Sequence, residues 1–273
     1  MSLFRLPCWV VKRIDQIRRD FLWSGSDLEH PGCRLVSWTN LCRPHDQGGW
    51  GILGIDTFNQ ALLRKWWWKF LTFPGWCGSE VIQFNYGMNR WNMFPRLTSR
   101  ISFFWKGVLN CLPAFRSCIA HNVQSGWETL FWKDQWLDGR APRFLWQDRF
   151  ASCLHPNGSI RELSALLEQP PFVCSPLLNL IRDTLRAPNS SAPDKKIWRL
   201  TGNGAFSVKS FYYFICDGGV RCPVAKFFWS SICPKKINLF NWLAWKDKIL
   251  TLENLAKRRC NRPPSSLLQV LLS

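Results

Sequence analysis

Acidic residues are scarce: 18 Asp and Glu stand against 36 Lys and Arg, a net charge of +18 over 273 residues. No two carboxylates are adjacent anywhere in the chain. The Asp-Asp turn of a two-metal polymerase or nuclease, whose carboxylates converge on ions about 4 Å apart, is therefore missing. Histidine is also rare, and four in the chain leave few candidates for a general base. There is no Gly-rich phosphate loop ending in Lys-Ser or Lys-Thr, no Gly-x-Ser-x-Gly elbow and no His-Glu-x-x-His. These absences predict a chain without catalytic residues, metal or cofactor of its own.

Long apolar runs are missing too. Every apolar stretch is broken by Arg or Lys well short of the roughly 20 residues that a membrane span needs. Met1 to Pro7 holds no apolar core of signal-peptide length. The twelve cysteines contain no C-x-x-C pair. An intracellular, reducing compartment is expected, with most cysteines acting as small buried hydrophobes. Tyrosine is sparse at three, whereas tryptophan and phenylalanine reach 18 and 20.

What is present is positive charge, and it is unevenly placed. Residues 1–75 carry 10 basic and 6 acidic groups, and residues 76–190 carry 12 and 8. Residues 191–273 carry 14 and 4, so more than half the excess lies in the last third. Such a balance favours an acidic partner, with nucleic acid ahead of an anionic membrane surface.

Hydrophobic periodicity predicts several helices. In residues 9–23, Trp9, Val10, Ile14, Ile17, Phe21 and Leu22 recur at three- and four-residue spacings, and Ser24-Gly25-Ser26 ends the run. A loop through His30, Pro31 and Gly32 follows. Asp56 or Thr57 is placed to cap a helix over 58–71, ending at Pro74-Gly75. Residues 88–100 read as turns, 101–112 as a short helix, and 127–132 as a strand. Short helices are expected around 160–168 and 176–186, with a Pro/Ser/Asn linker at 187–194. Residues 195–206 read as a hairpin turning at Gly202-Asn203-Gly204. Ser207 caps a helix over 208–215; helices at 225–231 and 236–247 follow, and Thr251 caps a last one. The fold class is α-rich α+β: small helical modules with short β-hairpins and no large sheet. Three segments follow: a helical one at 1–75, a Trp-rich connector at 76–194, and a hairpin-plus-helices module at 195–273.

Three constellations are candidates for chemistry. His30, Cys33, Cys42 and His45 are ligand types for tetrahedral zinc. Their spacing is not that of a standard finger and the intervening segment is apolar, so coincidence is the better reading. Trp66-Trp67-Trp68 cannot form one stacking platform, because consecutive helical positions point about 100° apart; core packing is expected. The basic set Lys209, Lys235, Lys236, Lys246, Lys248, Lys257, Arg258 and Arg259 flanks aromatic-rich helices. Phosphate contacts from Lys and Arg beside aromatic rings hold single strands. Trp242 and Trp245 are the candidates to stack, and the partner would be RNA or single-stranded DNA. The bland alternative is a solvated face over a buried aromatic stripe.

The motifs carry a resemblance. Trp198, Gly204 to Tyr212, Trp229, Pro234-Lys235-Lys236, Phe240 to Asp247 and Leu250 to Arg259 occur in order. They resemble the reverse-transcriptase zinc-binding domain of plant non-LTR (LINE-type) retrotransposons. The segments 21–25, 36–44, 48–52, 58–71 and 128–139 resemble the stretch that follows the polymerase core of such elements. The resemblance implies a region that helps a polymerase hold its template or target. The family's Tyr-x-Asp-Asp would precede Met1, and its C-x-x-C with later His and Cys would follow residue 259. Leu250-Thr251 omits the family's intervening Pro, and His45 stands where a Lys is usual. The resemblance therefore implies a non-catalytic fragment truncated at both ends, with a decayed reading frame of no selected function as the alternative.

Overall fold

The computed structural model describes residues 3–25, 33–73, 75–86, 102–109, 112–164, 179, 192–229 and 233–257. The loop at 30–32, the turns at 88–100, the helix expected over 176–186 apart from residue 179, most of the 187–194 linker, and Arg258-Arg259 lie outside the described residues. The described chain is α-rich with one two-stranded antiparallel sheet, as the sequence predicts. Its helices are α1 (Cys8–Ser24), α2 (Trp38–Cys42), α3 (Ile55–Thr72), α4 (Cys77–Tyr86), α5 (Phe103–Leu109) and α6 (Leu112–Arg116). They continue with α7 (Pro142–Leu145), α8 (Gln147–Ala151), α9 (Val208–Cys216), α10 (Ala225–Phe228), α11 (Lys235–Trp245) and α12 (Leu252–Lys257). The strands are β1 (Ile119–Asn122) and β2 (Lys195–Trp198).

Helix ends follow local chemistry. Gly25 takes a left-handed φ of 64° and donates its N–H to the Phe21 carbonyl, which ends α1 where the sequence predicts. Ser207 Oγ accepts from the Ser210 N–H at 3.2 Å and Thr251 Oγ1 from the Asn254 N–H at 3.3 Å, so both act as N-caps. Helix α3 starts at Ile55, ahead of its expected caps.

The chain forms two compact units, each assembled from distant segments. One comprises Met1–Leu6 and Thr57–Ile215. Its amino-terminal segment is pinned to α3 by Asn59, whose Oδ1 accepts from the Leu6 N–H and whose Nδ2 donates to the Phe4 carbonyl, both at 2.9 Å. Trp67, Phe70, Trp105, Phe115, Trp198 and Phe211 are fully buried there. Trp67 lies 5.3 Å from Trp105, and Phe115 lies 5.3 Å from Trp198, by ring centroids. Trp66 packs on Trp76 and Phe104, whereas Trp68 packs on Trp198 and Phe206. The tryptophan triplet thus points in three directions into packing, as helical geometry requires. A second cluster joins Phe131, Trp132, Trp136, Leu137 and Ile160.

Two strand expectations are corrected within this unit. The Gly202–Gly204 turn exists, with Gly204 at φ 69° and its carbonyl accepting from the Trp198 N–H at 2.8 Å. However, β2 pairs with β1, in the register Ile119 to Trp198 and Asn122 to Lys195. A four-residue ladder outweighs the two residues left for a local arm before Ser207 opens α9, and Phe206 packs onto Trp198 at 4.9 Å instead. Residues 127–132 form turns with one isolated bridge, Leu130 to Ser159. Two of their backbone donors, Glu128 and Leu130, go to carboxylates, as do two just before them. Asp194 accepts from the N–H groups of Gln124, Gly126 and Glu128, and Asp134 accepts from that of Leu130. Residues 160–163 form turns and Ser164 is in a 3-10 conformation; 165–168, the rest of the expected helix, lie outside the described residues.

The other unit comprises Pro7–Asp56 and Cys216–Ser273. Its core gathers Leu35, Val36 and Leu41 around Phe228, Trp242 and Leu243. The indole N–H of Trp242 donates to the Gly48 carbonyl at 3.0 Å, tying α11 to a loop 194 residues earlier. Gly48 needs its freedom, because φ is 74° and an added Cβ would lie 3.2 Å from that of Cys222.

Candidate nucleic-acid interface

The face of α11 that packs into its unit holds Asn238, Trp242 and Leu243, with Leu239 half-buried. Helical spacing puts Ile237, Phe240 and Ala244 on the opposite face, and all three are exposed. Phe240 is 51% exposed, and Trp245, at the edge of that face, is 44% exposed. Trp242 is fully buried. Of the two rings expected to stack on bases, Trp242 therefore has no face to offer, because it fills the core that its period-3.6 position assigns to it.

Basic groups cluster at both ends of α11. Lys235 and Lys236 occupy its first turn, where they are exposed. Pro234 precedes them without a side-chain cap, and no acidic residue lies in that turn. A helix N-terminus carries about half a positive charge, so two lysines there add to an already positive end. Neither contributes to helix stability in that position, whereas both favour an anion.

At the other end, the Lys246 ammonium lies 4.3 Å from the Trp245 ring centroid. The chain leaves the helix through Asp247, whose φ of 52° is left-handed. Lys248 N–H then closes back on the Leu243 carbonyl at 2.9 Å. Asn254 fixes the turn by donating to the carbonyl and carboxylate of Asp247 and to the Ile249 carbonyl. This turn holds Lys246 and Lys248 on either side of one residue. Lys257 is exposed at the end of α12.

Lys209 is exposed on α9, within the segment Thr57–Ile215, so it belongs to the other unit. The α11 set and Lys209 are thus not one cluster within a single unit. Arg258 and Arg259 lie outside the described residues. Phe240 is an exposed ring beyond the two expected to stack. The signal was present, since Phe240 sits three residues after Ile237 and four before Ala244, opposite the core stripe.

The histidine and cysteine quartet takes structural roles where it is described. His45 stacks on Trp229 at 4.2 Å, and its Nε2 lies 2.8 Å from the Trp50 carbonyl. Cys33 packs against the core. Burial, and then the Asp15 carboxylate, push the Cys42 thiol up to about 11. His30 lies outside the described residues. Among the described residues, no three His, Cys, Asp or Glu side chains are grouped for a metal ion.

Residues 206–269 match the family described as zinc-binding in reverse transcriptase. That stretch has cysteines at 216, 222, 233 and 260 and no histidine. The first three do not gather, so the described residues do not fit a zinc ion and none is assigned. The chain is 27% identical over 281 residues to an Arabidopsis thaliana protein named putative ribonuclease H protein, covering 94% of this chain. It spans 43% of that relative, less than half its length. It is 26% identical over 143 residues to an uncharacterized mitochondrial protein of the same plant, covering 52% of this chain and 92% of the relative. No solved structure matches the chain. No described helix is long and apolar enough to cross a membrane. The motifs and the match agree on residues 206–269: this stretch is similar to the zinc-binding region of reverse transcriptases.

Proposed function

We propose that the chain is a non-catalytic holder of nucleic acid, binding RNA or single-stranded DNA without sequence preference along α11. The observation that carries this reading is the exposed face of α11, where Phe240 and Trp245 lie between lysines at both ends. Eleven helical residues separate those ends by about 16 Å. Lys235 and Lys236 at one end, and Lys246 and Lys248 at the other, would neutralise successive phosphates. Bases would lie on the rings between them, with stacking tolerant of base identity. Lys257, Arg258 and Arg259 continue the basic run in sequence. The resemblance to an accessory region that accompanies a polymerase core supports the same reading.

The test is titration of the purified chain with a labelled oligouridylate at about 50 mM and about 200 mM salt. The expected result is binding whose log–log salt slope is about −0.7 for each phosphate neutralised. An absence of binding at low salt, or an affinity indifferent to salt, would overturn it.

A further inference from the structure

Helix α3, in the unit that contains Thr57–Ile215, carries a second pairing of lysine with tryptophan. Lys65 and Lys69 are four residues apart, so they share one face of the helix, with Cβ atoms about 5–6 Å apart. The Lys65 ammonium lies 5.4 Å from the Trp66 ring centroid. The Lys69 ammonium lies 5.9 Å from the same ring and 5.0 Å from that of Trp76, just before α4. The two rings are 5.5 Å apart and inclined at 34°. Gly78 makes room for them, because a Cβ there would run into the six-membered edge of the Trp76 indole. Two ammonium groups thus converge on one pair of rings.

Among the described residues no carboxylate forms an ion pair with either lysine, Glu80 in the first turn of α4 included. Lys69 stands in the last turn of α3, where the helix dipole favours a cation. Lys65 lies a turn earlier, beyond that benefit, and like charges one turn apart repel. Helix stability therefore accounts for Lys69 but not for the pair. A ring covers one side of each ammonium and leaves N–H donors on the other side for an anion. Side chains already held against rings lose less freedom when an anion binds. Lys69 is exposed and Lys65 half-buried, so an anion can approach from solvent.

We infer that Lys65 and Lys69, held against Trp66 and Trp76, clamp the phosphate backbone of a single-stranded nucleic acid at a site built from residues other than those of α11. The inference rests on the proposal that the chain binds such strands. It gives the unit that contains Thr57–Ile215 a contact of its own. Two neighbouring cations suit a polyanion with a phosphate at every residue.

The experiment compares five full-length proteins in the oligouridylate titration: parent, K65Q/K69Q, the charge-keeping K65R/K69R, G78A and K246Q/K248Q. Thermal melts confirm that each is folded. K65Q/K69Q is expected to bind about three- to tenfold more weakly at low salt, with a slope shallower by roughly 1.4, two contacts at about 0.7 each. K65R/K69R should keep the parental slope. G78A keeps both lysines and displaces the Trp76 ring, so its affinity should fall while its slope stays parental; a parental affinity would overturn the role given to the rings. If K65Q/K69Q binds as the parent does while K246Q/K248Q is weakened, this inference fails and the α11 proposal stands. The reverse result sinks α11 and keeps this clamp. If the parent does not bind, both fall. A parallel titration uses vesicles of phosphatidylserine and phosphatidylcholine. Loss of vesicle binding by K65Q/K69Q with a parental oligouridylate curve would assign the pair to a membrane surface and overturn the inference. Should the double variant not fold, K65Q alone carries the test, with an expected slope change of about 0.7; an unchanged slope overturns the inference.

Discussion

Arg64 and Trp67, three residues apart on α3, donate to the same acceptor: Arg64 Nη1 and Trp67 Nε1 lie 2.8 and 2.9 Å from the Val108 carbonyl oxygen. Both side chains are fully buried. Trp67 is thereby satisfied, whereas Nε and Nη2 of Arg64 find no acceptor. Burial, and then the charge of Arg5, pull the Arg64 guanidinium down to about 9.

The expected consequence is that Arg64→Met stabilises the protein. Replacing a buried, poorly paired charge by an apolar chain of similar length is worth about 1–4 kcal/mol. Val108 keeps its bond to Trp67, so no acceptor is orphaned. The pH dependence has a definite sign. Below about 9 the folded and unfolded chains both carry the charge, and the parent bears the full cost of burying it. Above that pH the folded parent sheds the proton that the unfolded chain retains, so the parent gains stability. The advantage of Arg64→Met, read from urea melts, should therefore be full at pH 7 and shrink as pH rises past about 9. A variant no more stable than the parent at pH 7 would refute this account.

Asp194 gives the opposite prediction. It is buried, and its two oxygens accept four bonds, from the N–H groups of Gln124, Gly126 and Glu128 and from Thr129 Oγ1. The distances run from 2.7 to 3.1 Å. Hydrogen bonds to a charged acceptor contribute about 1.5–3 kcal/mol each, and an orphaned buried donor costs about 1–3. Asp194→Ala should lose at least about 3 kcal/mol in a denaturant titration, enough to unfold a marginal domain. Asp194→Asn should fall between, because its NH2 group opposes donors rather than accepting from them. An Ala variant with a parental midpoint would show that these bonds do not hold the 124–129 turn.

These two residues mark what the sequence does and does not disclose. Periodicity places α1, α3 and α11 and the burial of Trp67, because a helix repeats every 3.6 residues whatever surrounds it. Alternation over 127–132 reads as a strand, yet its donors at 128 and 130, and those at 124 and 126 just before it, meet carboxylates from Asp194 and Asp134. Extended backbone shows in a sequence, whereas the identity of its partner does not. The same holds for β2, whose neighbour β1 lies some 70 residues upstream rather than across the glycine turn. At α11 the spacing contained the answer. The stripe that buries Trp242 leaves Phe240 outward, so spacing rather than residue type identifies the exposed ring.

Cysteine reactivity tests the burial pattern independently. Burial pushes the Cys118 thiol up to about 11, and Cys42 lies similarly high at about 11. At pH 8 about one in a thousand of such thiols is ionised, and the thiolate is the nucleophile. Cys8 and Cys233 are exposed. Limited alkylation of the native chain at pH 8, read by peptide mass spectrometry, should mark Cys8 and Cys233 well before Cys42 and Cys118. Early labelling of Cys118 would mean that the β1 region opens readily in solution.

Stability and binding should separate along α11. Trp242→Phe removes the donor to the Gly48 carbonyl and part of a core ring, and should cost about 1–3 kcal/mol of stability. It should leave the salt slope of binding unchanged, since the ring touches no ligand. Phe240→Ala and Trp245→Ala remove half-exposed rings. They should change the melt little, yet each should weaken oligouridylate binding by about 1–3 kcal/mol, the range for one base–aromatic stack. The lysine contacts would remain, so the salt slope should stay parental while the affinity drops. If the two alanine variants bind as the parent does, the rings of α11 are not a stacking surface, and its lysines hold phosphate without reading a base.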